Sequence, residues 1–268
     1  MAHYAVPVKP PVTPAPAATV VLLRDRAAGG FELLLLQRHR ASKFAAGDYV
    51  FPGGKVEADD NPPDAATWCA GLESARAAAV LGVDVETALA FWIGAIRETF
   101  EETGVLLAYD RDGAPLHAAR AAKFQEYRRA CQVENRAFWE MVRAEALMLA
   151  TDRLVYLAHW ITPEESPLRF DTRFFAAEMP AGQEAIGDGY EIVDARWLAP
   201  AEALEAAKRG EISLRNPTMR NIELFLGAGS VGQKLERLRG RTIPTIRPRV
   251  ITKDGARHVL MPGEPGYY

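Results

Sequence analysis

Segments of strand length and segments of helix length alternate in the pattern of apolar and polar residues. Residues 17–23 and 31–38 are rich in Val and Leu, and a Gly-Gly pair between them is typical of a turn. These two runs predict an antiparallel pair of strands. Residues 154–161 and 174–178 also have strand-like patterns, and a last one ends at Trp197, where a helical pattern begins. This order of elements predicts one α/β domain.

The longest helical pattern covers residues 86–103. Trp92, Ile96 and Phe100 recur at helical spacing and predict the buried stripe of this helix. Gly104 follows at the position where a left-handed residue commonly ends a helix.

Three other segments have helical patterns. Residues 65–83 predict one amphipathic helix with Asp64 as its N-cap. Residues 117–149 predict two helices with a break near 132–135, and residues 216–226 predict a closing helix.

Composition is that of an ordinary globular protein. The chain has 268 residues, of which 49% are hydrophobic and 25% charged, and its net charge is −3. The longest apolar run, at 33–36, is far too short to span a membrane, so no membrane partner is expected. Cys69 and Cys131 are too few for a disulfide scaffold or a zinc site, and we expect both to be small buried residues.

The N-terminal residues 1–16 contain five prolines and lack the apolar centre of a signal peptide. We expect a flexible arm there, followed by a single domain over 17–268. No signal peptide and no peroxisomal tripeptide is recognised, so a cytoplasmic location is expected.

The C-terminal tail, residues 234–268, is basic. From Lys234 to Arg257 there are eight basic and two acidic residues, whereas the rest of the chain carries a net charge of −9. A turn at 253–255 predicts that the tail ends in a hairpin. Nucleic acid would fit the charge, but no motif for reading bases accompanies it, so nucleic acid is not the predicted partner. A polyanionic small molecule or an acidic partner subunit fits equally well, and a homodimer is possible.

Three acidic residues share one face of the helix at 86–103. Glu98, Glu101 and Glu102 fall at positions i, i+3 and i+4. Crowded carboxylates raise one another's pKa and destabilise the fold unless a cation neutralises them. Hard divalent cations prefer oxygen ligands. The spacing therefore fits a metal site, and it fits a solvated acidic surface equally well.

A motif upstream decides between these two interpretations. Residues 49–57 read Tyr-Val-Phe-Pro-Gly-Gly-Lys-Val-Glu. Together with residues 93–105 they resemble the Nudix box, Gly-x5-Glu-x7-Arg-Glu-U-x-Glu-Glu-x-Gly-U, in which U is a bulky apolar residue. Gly54 takes the first position, Asp60 stands where the box has its first glutamate, and Thr99 stands at the first U. Between the two halves, 29 residues are inserted.

The resemblance implies the Nudix fold, a mixed β-sheet sandwiched between helices, with helical insertions at about 61–87 and 117–149. The first insertion is either a lid or dimer contact near the active site, or a surface elaboration that packs through Trp68.

The resemblance also implies the chemistry. Nudix enzymes use Mg²⁺ or Mn²⁺ to hydrolyse a nucleoside diphosphate linked to another moiety, so a small molecule of this kind is the expected partner. The implied metal ligands are Glu98, Glu101, Glu102 and the carbonyl group of Gly54. The implied catalytic residues are Glu98, Glu101 and Arg97, of which Arg97 should orient a carboxylate.

Many members of the family use one more acid from outside the box. Glu184 is the first candidate for this catalytic or metal-binding acid, and Glu191 is the second. Either could equally be a solvated loop charge.

The substrate is indicated by residues around the box. Residues 37–54 are similar to the stretch before the box in coenzyme A diphosphatases, although Lys43 replaces an Arg and the usual Thr-x-Arg-Ser start is missing. The split box and residues 169–175 are similar to the branch that contains the peroxisomal (acyl-)coenzyme A diphosphatases, which release 3′,5′-ADP and (acyl-)phosphopantetheine. The implied substrate-binding residues are Arg38, Arg40, Lys43 and Gly53.

Other functions share these features. Pyrophosphatases for ADP-ribose, NADH, nucleotide sugars or dinucleoside polyphosphates would have the same catalytic residues and different pocket walls. A ligand-sensing Nudix domain without activity usually lacks box acids that are present here. An RNA-decapping enzyme would use the basic tail and bind RNA in a salt-dependent way.

Overall fold

The computed structural model describes residues 11–116, 118–253 and 255–267. Within these ranges the chain forms twelve β-strands and eight α-helices. The strands are β1 (Ala15–Asp25), β2 (Phe31–Arg38), β3 (Tyr49–Val50), β4 (Gly53–Lys55), β5 (Ala108–Tyr109), β6 (Met148–Leu149), β7 (Val155–Ile161), β8 (Phe170–Glu178), β9 (Ile192–Leu198), β10 (Thr245–Ile246), β11 (Arg249–Lys253) and β12 (Ala256–Leu260). The helices are α1 (Ser74–Leu81), α2 (Val85–Thr103), α3 (Ala118–Ala121), α4 (Gln125–Val133), α5 (Arg136–Ala144), α6 (Pro200–Lys208), α7 (Asn216–Glu223) and α8 (Val231–Leu238).

A mixed eight-stranded sheet lies at the centre of the fold. Its strands follow the order β10-β7-β8-β1-β2-β3, with β4 paired to β1 and β9 paired to β2. β1 runs parallel to β8 and antiparallel to β2, which confirms the predicted antiparallel pair. β2 pairs with the C-terminal end of β1, and β4 pairs with its N-terminal part, where Gly54 lies opposite Ala18. Gly53-Gly54 is therefore held against the central strand of the sheet.

Apolar side chains cover both faces of this sheet. On β1, Val20 and Leu22 join one core cluster, and Val21 and Leu23 join the other. The first cluster includes residues of α1, α2, α4 and α5, and the second includes residues of α6, α7 and α8. Because both faces are buried, the apolar run at 33–36 is continuous and does not alternate. The predicted mixed sheet between helices is confirmed.

α2 agrees closely with the sequence prediction. Trp92, Ile96 and Phe100 are buried, and the helix ends at Gly104 with φ of 74°. Trp92 packs on Phe175 of β8, with ring centroids 4.9 Å apart. This packing fixes the rotation of α2, so its acidic face lies away from the apolar core.

The single helix predicted at 65–83 is wrong. The segment forms a 3-10 turn at Ala65–Trp68 and then α1. The residues between these two elements are not helical, because their backbone is held by other contacts. Ala70 N–H donates to the carbonyl oxygen of Leu149 at 2.9 Å, and Gly71 turns the chain with φ of 63°. Asp64 does not cap with its side chain, which accepts hydrogen bonds from Trp68 and Arg143.

The second helical segment has the predicted break. α4 ends at Val133 and α5 begins at Arg136, and a short helix, α3, precedes them. Residue 117, where this segment was predicted to start, lies outside the described residues.

The two ends of the chain differ in part from the predictions. β1 already begins at Ala15, so the predicted arm at 1–16 overlaps the sheet, and residues 1–10 lie outside the described residues. β11 and β12 form the predicted hairpin, although residue 254 of its turn is not described. α8 was not predicted. It buries Val231, Leu235 and Leu238, and Ser230 caps its start.

In the described part of the chain, no single helix is long and apolar enough to cross a membrane. α1 and α2 are long and apolar enough only when they are taken together, and a bend of 86° separates them.

Candidate active site

Arg97 joins the two halves of the split box. It is 2% exposed, and its Nε and Nη2 donate to the Asp60 carboxylate at 2.6 and 3.0 Å. Nη2 also donates to the carbonyl oxygen of Lys55 at 2.9 Å. Nη1 donates to Glu98 Oε1 at 2.9 Å and to Glu101 Oε2 at 3.1 Å. Arg97 therefore orients two carboxylates, which is the role that the sequence predicted.

Asp60, which stands where the box has its first glutamate, is the residue that accepts two hydrogen bonds from Arg97. It lies in a 3-10 turn, is 1% exposed and also accepts a hydrogen bond from Glu57 N–H at 2.8 Å. A Cβ on Gly94 of α2 would lie 2.9 Å from Asp60 Oδ2. The shorter acid therefore reaches Arg97 because a glycine lets the turn approach α2 closely.

Gly53 and Gly54 bring backbone next to the acidic residues. Gly53 N–H donates to Glu102 Oε2 at 2.9 Å. A Cβ on Gly54 would lie 2.5 Å from Glu98 Oε2, and one on Gly53 would lie 2.4 Å from the carbonyl oxygen of Ala18. Gly53 needs glycine because its Cβ would meet backbone atoms, whereas a Cβ at Gly54 would displace the Glu98 carboxylate. That Gly54 ligates a metal and that Gly53 contacts substrate both stay predictions.

Glu98, Glu101 and Glu102 form a carboxylate cluster on α2, in which Glu102 is buried and Glu98 and Glu101 are only slightly exposed. Burial is the main cause that raises the pKa of each: Glu101 to about 8, and Glu98 and Glu102 also upwards. The charge of Glu98 raises the pKa of the other two carboxyls further, whereas Arg97 lowers that of Glu101. The surroundings of the cluster therefore disfavour its ionised form when no cation is present.

The carboxylate cluster fits a divalent cation in its donors. Glu101 Oε1 is buried and has no hydrogen-bond partner among the described residues, an arrangement that is costly unless another group occupies the position. Within the described residues, no three acidic, His or Cys side chains already converge as a complete set of metal ligands, and Arg97 holds one oxygen each of Glu98 and Glu101. The unpartnered buried oxygen nevertheless fits a divalent cation, because such cations prefer hard oxygen donors.

Glu191 is linked to the cluster through Arg38. Arg38 Nη2 donates to Glu191 Oε2 at 3.1 Å, and its Nη1 lies 3.5 Å from Glu102 Oε1. Glu184 is exposed, and none of the described contacts ties it to the cluster. Of the two candidates, Glu191 is the one linked to the cluster, although its side chain is 65% exposed; that either acid acts in the reaction stays a prediction. Arg38 bonds acidic residues in this structure, so its predicted contact with substrate stays untested.

Arg40 and Lys43 lie on the exposed loop between β2 and β3. None of the described residues forms an ion pair with either side chain. Asp48 anchors the loop by accepting hydrogen bonds from Ser213 Oγ at 2.6 Å and from Arg215 Nε at 2.7 Å. Both cations are therefore available to an anionic ligand.

Sequence analysis missed the residues that support the end of α2. Arg128 Nε and Gln132 Nε2 of α4 donate to the backbone carbonyl oxygen of Glu101 at 3.0 and 2.7 Å. Gln125 Nε2 donates to the carbonyl oxygen of Gly104 at 2.9 Å. No local pattern indicates these contacts, because they join side chains to a backbone 21 to 31 residues away.

Comparison with known proteins identifies the family of the chain. Residues 73–224 match the family model described as the NUDT19 Nudix domain. The chain is 32% identical to acyl-coenzyme A diphosphatase NUDT19 of Gallus gallus, in an alignment covering 70% of this chain and 59% of that protein. It is 29% identical to the protein of the same name from Homo sapiens, covering 91% of this chain and 74% of that one.

The chain spans less than two thirds of the length of the relatives from Gallus gallus and Xenopus laevis. Among solved structures, the Nudix hydrolase from Alicyclobacillus acidocaldarius is 26% identical and has a TM-score of 0.69, covering 86% of this chain and 99% of that one. The family match spans more than half of the chain and includes Arg97 and the carboxylate cluster. The chain therefore belongs to the NUDT19 Nudix domain family of Nudix hydrolases.

Proposed function

We propose that the chain is a divalent-cation-dependent diphosphatase that cleaves the diphosphate of coenzyme A or acyl-coenzyme A. The products would be 3′,5′-ADP and phosphopantetheine or its acyl form. Family membership and relatives named acyl-coenzyme A diphosphatase support this substrate. No feature of the described site favours ADP-ribose, NADH, nucleotide sugars or dinucleoside polyphosphates instead.

The buried, unpartnered Glu101 Oε1 within the carboxylate cluster is the observation that carries the chemistry. Glu98, Glu101 and Glu102 would hold the cation, and Gly54 would add its carbonyl group. The proposed ions are Mg²⁺ and Mn²⁺, which would supply positive charge to stabilise the diphosphate oxygens in the transition state.

The remaining roles belong to side chains around the cluster. Arg97 keeps the carboxylates of Glu98 and Glu101 in fixed orientations through one nitrogen. Gly53 N–H does the same for Glu102. These bonds position the oxygens before substrate arrives, so little reorganisation is needed on binding.

We assign proton transfer to Glu191. Arg38 bonds its Oε2, and its Oε1 has no partner among the described residues, so this oxygen can accept a proton from water. The water oxygen forms a bond to phosphorus, and the bond from phosphorus to the bridging oxygen breaks. The bridging oxygen leaves with the second phosphate, and the proton passes to Glu191.

A substrate screen tests the proposed function. The purified protein is incubated with Mg²⁺ or Mn²⁺ and with coenzyme A, an acyl-coenzyme A, ADP-ribose or NADH, and products are separated by chromatography. We expect cation-dependent release of 3′,5′-ADP from the first two substrates with the highest kcat/KM. A higher kcat/KM on ADP-ribose or NADH would reject the substrate, and no hydrolysis of any diphosphate would reject the function.

Variants test the assigned residues in the same assay. Glu101→Gln and Glu102→Gln should each lose activity by several orders of magnitude while remaining folded. Glu191→Gln should lower kcat about 10²-fold or more, the usual range for a general base, and Glu184→Gln should leave it unchanged. Equal effects at 184 and 191 would contradict the assignment of Glu191.

A further inference from the structure

The backbone carbonyl group of Glu101 lacks its usual partner within α2. A helix leaves its last carbonyl groups without intrahelical donors. Gly104 N–H donates to Phe100 O at 2.8 Å, whereas Val105 N–H, four residues after Glu101, donates to Thr103 Oγ1 at 3.1 Å. The carbonyl group directly behind the carboxylate cluster therefore needs a donor from elsewhere in the chain.

Arg128 of α4 supplies that donor and reaches a second segment with the same guanidinium group. Its Nε donates to Glu101 O at 3.0 Å, and its Nη2 donates to Ile186 O at 2.9 Å. Ile186 N–H donates in turn to Thr103 O at 2.8 Å. Ile186 lies in the β8–β9 loop (residues 179–191), which also carries Glu191. Arg128 thus joins the end of α2 to the loop that holds the acid outside the box.

The shape of the guanidinium group makes this bridge possible. Its N–H groups lie in one plane and point in fixed directions, so two carbonyl groups can be held at a fixed separation. A lysine ammonium group keeps the positive charge but lacks these planar N–H donors in fixed directions. A positive charge at the C-terminal end of a helix is also favourable, because carbonyl dipoles point there.

We propose that Arg128 is a positioning residue that sets the cation affinity of the carboxylate cluster by fixing the Glu101 peptide and the β8–β9 loop relative to each other. This inference rests on the proposed cation-dependent function. It adds a residue of the helical segment after the box, which neither the box nor the sequence pattern indicates.

A purely electrostatic role would have the opposite consequence. Arg128 is a cation close enough to Glu102 for the two charges to interact. If charge alone mattered, its removal would make the site more negative and would strengthen divalent-cation binding. Positioning predicts weaker binding, so the sign of the change separates the two roles.

Calorimetric titration of the metal-free protein with Mn²⁺, without substrate, tests the proposal. We expect Arg128→Lys and Arg128→Met each to weaken Mn²⁺ binding about tenfold or more. Arg136→Ala is the matched control, because Arg136 pairs with Glu134 on the surface and is 68% exposed; it should stay within about twofold of wild type. Wild-type affinity in Arg128→Lys, or tighter binding in Arg128→Met, would overturn the proposal.

Hydrogen exchange of the metal-free proteins gives a readout that needs neither cation nor activity. The Ile186 amide should exchange about tenfold faster or more in both Arg128 variants. Gln132→Ala removes the other donor to Glu101 O but no contact of the β8–β9 loop, so it should leave this amide protected. Unchanged exchange in the Arg128 variants would contradict the proposal alone. A wild-type protein that does not bind Mn²⁺ would contradict the proposed function and the proposal together.

Discussion

The guanidinium group of Arg97 makes a hydrogen bond with each of its five N–H groups. Asp60 accepts two of these bonds, Lys55 O accepts one, and Glu98 and Glu101 accept one each. A buried charge that is fully paired in this way is tolerated, whereas one that loses a partner is strongly destabilising. At the residue scale, the site is therefore an arginine with carboxylates arranged around it.

Asp60→Asn should lower the free energy of unfolding by about 3–5 kcal/mol, because it leaves the buried charge of Arg97 without its closest partner. Chemical denaturation of the metal-free protein measures this change. Glu205→Gln is the control, since Glu205 pairs with Lys208 on the exposed surface, and it should leave the free energy of unfolding nearly unchanged because exposed ion pairs contribute little. A similar loss in both variants would contradict the role of Asp60.

Arg40 and Lys43 are predicted to contact the 3′-phosphate of coenzyme A. If so, Arg40→Ala and Lys43→Ala should lower kcat/KM for coenzyme A about tenfold or more, equivalent to about 1.4 kcal/mol. They should spare 3′-dephospho-coenzyme A, which lacks that group. Equal losses on both substrates would place the two residues at the diphosphate or in the fold.

At the scale of elements, two helical segments pack against α2, which bears the second half of the box. The segment at 61–83 packs α1 against α2, and its Asp64 bonds Trp68 and Arg143 of α5. α4 supplies the donors for the last carbonyl groups of α2. The inserted segments therefore contact both one another and the helix that bears the carboxylate cluster.

Asp64→Ala separates the two interpretations of the first insertion. The change removes the hydrogen bonds that join this segment to α5, and we expect melting of the protein to shift down by a few degrees. If the segment is a surface elaboration, kcat and KM should stay within about twofold of wild type. If it is a lid, KM for the diphosphate substrate should rise, which steady-state kinetics would show.

At the scale of the whole molecule, the fold sets a buried sheet against a carboxylate cluster that is itself largely withdrawn from water. The apolar cluster on one face of the sheet includes Leu89, Ile93, Ile96 and Phe100 of α2, and this packing fixes the rotation of the helix. Burial then raises the pKa of all three cluster carboxyls. Stability of the metal-free protein is thereby linked to pH.

The metal-free protein should lose stability as pH rises from about 5 to 8. Glu101 has its pKa raised from 4.5 to about 8, so between these values the folded state binds more protons than the unfolded state, and stability falls with increasing pH. Thermal melts across this range measure the slope. Glu101→Gln should flatten it, because the variant cannot titrate at this position.

Divalent cations should reverse part of this loss. Ionised carboxylates bind Mg²⁺ and protonated ones do not, so the increase in Tm on addition of Mg²⁺ should be larger at pH 8 than at pH 6. An equal increase in wild type and Glu101→Gln would show that Glu101 is not a ligand.

Local periodicity was enough to predict the features that depend on side-chain spacing within one element. The bounds of β2, the buried stripe of α2 and the shared face of Glu98, Glu101 and Glu102 all follow from side-chain spacing along one element, and the structure agrees with each. The pairing of Gly54 with this helix across an insertion was recognised only because the two halves resemble one motif.

Contacts between segments that are distant in the sequence could be found only in the tertiary structure. Periodicity could not show that the helical pattern is interrupted at Ala70. The N–H group of Ala70 donates to the carbonyl oxygen of Leu149, which lies far away in the sequence. Nor could periodicity show that Arg38 links Glu191 to the carboxylate cluster, because Arg38 and Glu191 are 153 positions apart in the sequence. The sequence also could not predict that Arg128 bridges Glu101 O and Ile186 O. A side chain that donates to a distant backbone carbonyl group leaves no pattern in its own helix.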